Sequence, residues 1–424
     1  MGILLEADGD RVSYGDITIF DGLTAISGSL QLESRSPRLD TCEMIPSAMR
    51  IWPLGAALVL ASACSITDVP IQSTDPVASL ELAQLSGPFR PSEAALLTAV
   101  PRNASGRALA GRTVSWTAAD PSVAHVSEVG VVTALRPGAT RIVVTSEGRT
   151  AATAITVVPL DRPYLECTTP KPSWVWCDDF EQDRLARYSD YGERGSFHRL
   201  PSVGYGGSMG MQAHFKTNQV NAGFLHVRFG KVPAPDFRPV DDGRTVYRDI
   251  YWRVYVKYAP WWVGGAGNKV SRAQSLASTD WAQAMIAHVW TPDEPLDRLW
   301  LEPASGVGFR GRLLTTHYND FNNLDWVGRT WSKTRLFDSK HIGKWYCVEA
   351  RARLNDPGRS NGVFELWIDD KPEARIGGLG WMGSLTEYGI NAVYLENYWN
   401  EGSPQPQDRY FDNFVIATER IGCR

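Results

Sequence analysis

The feature that most limits what this chain can fold into is a period of two. Between Ile250 and Lys257, Tyr251, Arg253, Tyr255 and Lys257 fall on one side and Ile250, Trp252, Val254 and Val256 on the other. That is the alternation of a strand packed on a core through one face. It recurs at 210–216, 224–229, 345–353, 363–369, 392–398 and 410–416. No long segment of helical period competes, and only 271–284 has room for a helical turn or two. From Cys177 to the end, the pattern predicts an antiparallel two-sheet sandwich, or jelly roll.

The chain before that point is different. Of 16 Trp residues only Trp52 and Trp116 precede residue 170. Residues 78–159 show shorter runs, such as Thr113–Thr117, Arg141–Thr145 and Ala154–Val158. Asp120-Pro121, Pro137-Gly138 and Glu147-Gly148 punctuate them, which predicts a small β-sandwich. A formal net charge of −4 gives no basic footprint, so no nucleic-acid partner is expected.

Met49 to Cys64 combines one positive charge, an apolar run and the small residues Ala61-Ser62-Ala63 before a cysteine, the layout of a secretory signal. The run is too short to span a bilayer, which takes about 20 residues. Ala-Ser-Ala-Cys resembles a bacterial lipoprotein box, with Ala61 where Leu is usual. The resemblance implies lipidation of Cys64 and a membrane partner at the cell envelope; ordinary cleavage and secretion is the alternative. Residues 1–48 then read as an overlong start or a disordered extension, and 65–77 as a Ser/Thr/Pro-rich tether. Cys167, Cys177, Cys347 and Cys423 remain in or beside the C-terminal domain, an even number suited to two disulfides in an exported chain. At least one is expected to tie a domain end to its body; the pairing stays open.

Val114-Ser115-Trp116, Asp120-Pro121-Ser122-Val123-Ala124, Gly130-Val131-Val132-Thr133-Ala134 and Pro137-Gly138 resemble the bacterial immunoglobulin-like group 2 domain. That implies a spacer or a binding module. After a linker at 160–176, residues 177–424 carry a second resemblance. Gly343-Lys344-Trp345, Gly362–Asp369 and Asp412–Ile416 are similar to the concanavalin A-like lectin/glucanase superfamily. That implies a jelly roll with a carbohydrate-facing sheet and a polysaccharide partner. Asp370 stands where that family usually has Gly, which leaves the turn type open. Asp178, Asp179, Glu181 and Asp412 are candidates for a structural calcium, since the first and last strands of such sandwiches are neighbours and hard oxygen ligands suit that ion. No cofactor is otherwise expected.

Glycoside hydrolysis needs two carboxylates about 5–10 Å apart. Glu365 and Asp369 share a face but stand roughly 13 Å apart along a strand, so the sequence points away from hydrolysis. It has more in common with jelly-roll polysaccharide lyases, which carry an Arg strand, a Gln-x-His-like strand and a late Tyr-rich strand. Uronate elimination needs the substrate carboxylate neutralised and a His or Tyr to move protons. The resemblance implies His288, Tyr398 and Arg253 as catalytic residues. Lys269, Arg272, Tyr255, Lys257, Tyr394, Asn400 and Trp399 are the substrate-binding candidates. Lys269 and Arg272 read as part of a Gly-rich approach loop, and Trp261-Trp262 as further sugar platforms. Parity puts Gln283 and His288 on opposite faces, so Gln283 is not carried over. Non-catalytic carbohydrate binding and a purely structural surface role remain as the other two functions compatible with the sequence.

Overall fold

Valine, isoleucine, threonine and aromatic residues at every second position dictate strands, and the computed structural model bears this out. It describes residues 74–160, 165–192, 195–264, 267–291 and 297–423. The expected signal at 49–64, with its Cys64, and the segments before and just after it lie outside the described residues.

The small sandwich comprises β1 (Ser79–Leu82), β2 (Ala94–Leu96), β3 (Ala99–Arg102), β4 (Ser115–Ala118), β5 (Ala124–Val126), β6 (Val131–Ala134), β7 (Gly138–Ser146) and β8 (Arg149–Val157). Sheets β2-β6-β5 and β4-β7-β8 enclose Phe89, Leu97, Val132, Ile142 and Ile155. The β7–β8 hairpin turns on Glu147 and Gly148, both at positive φ (46° and 78°). That is the primed geometry matching strand twist, and it explains the Glu-Gly punctuation.

The jelly roll follows as β9 (Trp174–Asp178), β10 (Asp190–Gly192), β11 (Phe197–Leu200), β12 (Gly210–Phe215), β13 (Asn221–Arg228) and β14 (Asp249–Tyr258). Next come β15 (Asn268–Leu276), β16 (Gln283–Thr291), β17 (Trp300–Ser305), β18 (Asp325–Trp326) and β19 (Thr330–Trp331). The series closes with β20 (Trp345–Arg353), β21 (Gly362–Ile368), β22 (Lys371–Leu379), β23 (Ala392–Trp399) and β24 (Gln407–Ala417). Sheet I runs β11-β12-β24-β14-β20-β21-β22, with β9 pairing β24; sheet II runs β10-β13-β23-β15-β16-β17-β18, with β19 pairing β17. The first and last strands are neighbours as expected, Asp178 opposite Phe414. Residues 271–284 hold no helix: β15 and β16 form an antiparallel hairpin there.

Between the sheets lies one apolar core. Trp252, Val254, Val256, Phe364, Leu366 and Ile416 come from sheet I; Leu225, Val227, Ala287, Val289, Val393 and Leu395 come from sheet II. The β21–β22 turn puts Asp369 and Asp370 at φ 49° and 64°, a primed turn that Asp adopts without Gly. Asp369 Oδ1 fixes it by accepting from the Cys347 backbone N–H at 3.0 Å. Both disulfides are present, Cys167–Cys177 and Cys347–Cys423. The second ties the C-terminal end to β20.

The two sandwiches belong to one compact unit. The small one docks on the outer face of sheet I through Ala94 N–H to Gly343 O (2.9 Å) and Trp345 Nε1 to Ser92 Oγ (3.0 Å). The Lys257 ammonium donates to Ser92 O (2.5 Å). A β-carbon at Gly343 would stand 1.9 Å from Ala94 O, so this approach requires glycine.

Candidate functional site

The inward set of sheet II fixes what faces outward. Along β23, Val393 and Leu395 are core, so Tyr394, Glu396 and Tyr398 point out. Along β13, Leu225 and Val227 are core, so Phe224, His226 and Arg228 point out. Two β-bulges break simple alternation in β15 and β16. The β15–β16 register shifts between Lys269 and Ser271. Val270 and Ser271 both turn inward there, Val270 into the core and Ser271 Oγ under the Trp252 indole N–H (3.0 Å). The second shift falls between Ser275 and Leu276, opposite Met285 and Gln283, and Ala284 and Met285 are both core. A bulge reverses parity. Lys269 therefore joins Arg272 on the outer face, and Gln283 joins His288. This overturns the parity argument against Gln283. Lys269 and Arg272 are strand residues, not loop residues.

Pairing then sets the outward side chains in rows. One row runs His226, Tyr394, Arg272, His288 and Glu302 across β13, β23, β15, β16 and β17. A second carries Tyr398, Lys269, Trp290, Trp300 and Trp331. A third carries Arg228, Ala392, Gln274, Ile286, Ala304 and Trp326. Strands lie about 4.8 Å apart and rows about 7 Å apart. The cations of β15 thus stand between the imidazole of β16 and the phenols of β23.

Arg272 is held from three sides. It donates to Glu396 Oε1 at 2.7 Å, to the Tyr318 hydroxyl and to Asn319 Oδ1 at 3.2 Å. The Lys269 ammonium lies over the Tyr398 ring, 4.3 Å from its centroid. Gln283 donates to Gln274 and accepts the Asn319 N–H at 2.7 Å.

His288 differs from all of these. It is 1% exposed, and neither ring nitrogen has a hydrogen-bond partner among the described residues. Trp326 stacks on it at 5.7 Å and Trp290 flanks it at 5.3 Å. Burial, and then the charges of Arg272 and Lys269, push its imidazole well below the ordinary histidine range, so the ring is neutral at pH 7. Leaving such a group without a partner costs roughly 1–3 kcal/mol per site, which a polar ligand against the ring would relieve.

Other expected site residues go elsewhere. Arg253, Tyr255 and Lys257 share a face, but it is the outer face of sheet I, with the core between them and His288. Arg253 is buried against Glu166 and the Gly422 carbonyl. Tyr255 packs with Tyr205, Trp345 and Cys347. Lys257 lies under the small sandwich. Trp399 faces the core, stacked on Trp262 at 5.5 Å, because it is one residue out of phase with Tyr398. Asn400 is exposed past the end of β23, its N–H donating to Gly267 O at 3.2 Å. Trp261 is exposed in the turn after β14.

No three His, Cys, Asp or Glu side chains among the described residues are arranged to hold a metal ion. The four carboxylates named as calcium candidates accept hydrogen bonds from nearby backbone and side-chain groups. Asp178 accepts from Phe180 N–H and the Tyr188 hydroxyl, and Asp179 from Cys167 N–H. Glu181 accepts from Met209 N–H, and Asp412 from Tyr205 N–H, Ser208 and Asn413 N–H. Burial raises the Asp178 carboxyl to about 6 and Asp412 well above its usual range.

His226, Arg228, Gln274, Glu302 and Trp326 are site-face residues that sequence reasoning did not single out. The signal for the first two was present, since Phe224–Phe229 alternates and puts them in phase. His226 is stacked between Phe224 and Tyr394.

No protein-family model and no curated protein matches the chain. Solved structures do resemble it. A PL-14 alginate lyase from Aplysia kurodai aligns with 58% of this chain and 99% of its own, at 11% identity and a TM-score of 0.42. The alginate lyase vAL-1 from Chlorella virus covers 58% and 100% at 11% identity and TM-score 0.39. An endo-β-1,4-glucuronan lyase from Trichoderma reesei covers 58% and 92% at 9% identity and TM-score 0.35.

Proposed function

We propose that the outer face of sheet II cleaves uronate-containing polysaccharide by β-elimination. The observation that carries this reading is His288: a buried, neutral imidazole with no hydrogen-bond partner among the described residues, one strand away from two cations. A neutral imidazole is the form that accepts a proton. Lys269 and Arg272 supply positive charge where the uronate carboxylate must be neutralised for its α-proton to leave. In the proposed step, His288 takes the C5 proton. The electron pair forms the C4–C5 double bond as the C4–O4 bond breaks. Tyr398, on the far side of β15, donates its hydroxyl proton to the leaving O4. The products are a new reducing end and a fragment with an unsaturated uronate. Exposed Trp326 and Trp331 (42% and 46%) offer ring faces at the edge of the same surface for sugar stacking.

Incubation with glucuronan, alginate and pectate tests this reading through the absorbance of unsaturated ends, compared between the wild type and His288→Ala. One observation favours non-catalytic binding as a second reading: Glu396 already pairs with the Arg272 charge. Under that reading, oligouronate affinity persists in His288→Ala and no unsaturated ends form.

We further propose that the chain is exported. Two disulfides support this, because they persist in oxidising compartments. In this reading Met49–Cys64 is the signal, Cys64 carries a lipid, and the immunoglobulin-like small sandwich is a spacer held against sheet I. The intact mass of the native protein tests the start and the lipid together.

A further inference from the structure

The residues proposed to do the chemistry lie on an outer sheet face, yet they are closed off from solvent. His288 is 1% exposed, Arg272 2% and Gln283 0%. One segment reaches all three. Residues 313–331 follow β17, lie across the outward side chains of β15 and β16, and return through β18 and β19. Thr315 Oγ1 donates to the Gln283 carbonyl at 2.8 Å. The Tyr318 hydroxyl and Asn319 Oδ1 accept from the Arg272 guanidinium, and the Asn319 N–H donates to Gln283 Oε1 at 2.7 Å. Leu324 packs on Ile286 and Ala304. Trp326 stacks on the His288 ring with 22° between the planes.

The contacts that hold this cover are weak ones. Its strand pairing to β17 is two residues long in β18 and two in β19. The acceptors it offers Arg272 are a phenol and an amide, both neutral. Beneath it, polar atoms are left without hydrogen-bond partners among the described residues: both ring nitrogens of His288, Trp290 Nε1, Gln274 Nε2 and Arg272 Nε. Each such group opposes closure, because water would satisfy it in an open state. Glycines at positive φ stand near both ends, Gly311 at 77° and Gly328 at 145°. Backbone without a β-carbon can absorb a hinge rotation there.

We propose that residues 313–331 form a strap that closes the site in the free protein, and that a uronate carboxylate opens it by displacing Tyr318 and Asn319 from Arg272. A carboxylate makes charge-assisted hydrogen bonds to a guanidinium, stronger than those of a neutral phenol or amide, so the exchange favours the ligand. The Glu396 pair with Arg272 is left in place. Release of the Tyr318–Asn319 turn lets Trp326 lift from His288, whose ring then meets the sugar. Exposure of the imidazole is thereby conditional on an acidic ligand. The trigger rests on the elimination reading given above; the closure does not, and the test separates the two.

Closure is read on the full chain without ligand. Diethyl pyrocarbonate acylates neutral imidazole, and peptide mass spectrometry gives the rate at each histidine. In the wild type, His288 is expected to react slower than the exposed His317 by about tenfold or more. Leu324→Ala removes the apolar anchor of the strap and is expected to raise the His288 rate by about tenfold or more. His226, stacked between Phe224 and Tyr394, stays slow. A rise at both histidines marks global unfolding, and Tyr318→Phe then decides: a faster His288 alone upholds the strap, and an unchanged one overturns it. The trigger is read by calorimetric titration of an oligouronate into His288→Asn, with and without Tyr318→Phe. Apparent affinity scales with the open fraction, so loss of a hydrogen bond that holds the strap shut is expected to tighten binding by about tenfold. Unchanged or weaker binding, or none, overturns the trigger. Faster His288 acylation in the strap variants with no unsaturated ends from the wild type upholds the strap and removes the elimination. Unsaturated ends with a His288 rate that no strap variant moves overturn the strap and leave the elimination standing.

Discussion

Lys257 offers a test of how the two sandwiches are joined. Its ammonium is enclosed by the rings of Trp345 (5.1 Å) and Tyr410 (4.4 Å) and donates to Ser92 O of the small sandwich. Burial, opposed in part by the charges of Glu93 and Asp408, pushes its pKa down to about 7. In the unfolded chain it returns to about 10.4, and each unit between the two values is worth about 1.4 kcal/mol. Because the folded value is the lower one, the unfolded chain binds more protons between those limits, so stability rises with pH across that window. From pH 7.5 to 9.5 the Lys257 contribution amounts to ~2–3 kcal/mol. Lys257→Met keeps most of the stem and removes the titration, though it leaves Ser92 O unpaired. Urea unfolding of both proteins at a series of pH values, followed by tryptophan fluorescence, gives the difference directly. The wild type gains ~2–3 kcal/mol on the variant over those two units. A difference that stays flat with pH refutes the burial argument. If the small sandwich separates in an earlier transition, the pH dependence appears in that transition alone.

Arg272→Gln removes one of the charges that hold the His288 ring neutral, so the His288 value rises and the acid limb of the pH–rate profile moves to higher pH. An unmoved limb would show that His288 does not set it. Glu396→Ala leaves the Arg272 guanidinium buried without its carboxylate, and denaturant unfolding is expected to show a loss of ~3–5 kcal/mol. Cys423→Ser opens a bridge spanning 76 residues. The expected loss is ~2–4 kcal/mol in stability, read in the same assay, with little effect on ligand binding because the bridge lies on the sheet I side.

Much of the fold was legible in the sequence because the period of two survives in nearly every strand. The inward face of β14 was correct residue by residue. What alternation could not tell was which of two sheets a strand joins. Arg253, Tyr255 and Lys257 look like a polar ligand face, yet the segment around Glu166, the C-terminal segment at Gly422 and the small sandwich cover them. Nor could it tell where a bulge reverses parity, and single extra residues at Val270 and Ala284 moved Lys269 and Gln283 onto the site face. Trp399 was misplaced by a simpler error, since the parity that exposes Tyr398 buries its neighbour. The sequence showed the carboxylates near Asp178 but not the backbone N–H groups they accept from, because those contacts are set by turns that alternation does not describe. His288, Arg272, Tyr394 and Tyr398 were legible and do share one face; their neighbours His226 and Arg228 were visible in the same alternation and were passed over.

The most direct test of the central claim is the formation of unsaturated uronate ends from glucuronan, alginate or pectate by the wild-type protein and by His288→Ala. The account predicts a rise in absorbance on at least one of these polymers and a fall in rate of about a hundredfold or more in His288→Ala, the usual worth of a proton-transferring side chain. No rise on any of them, or an equal rate in the variant, would contradict it.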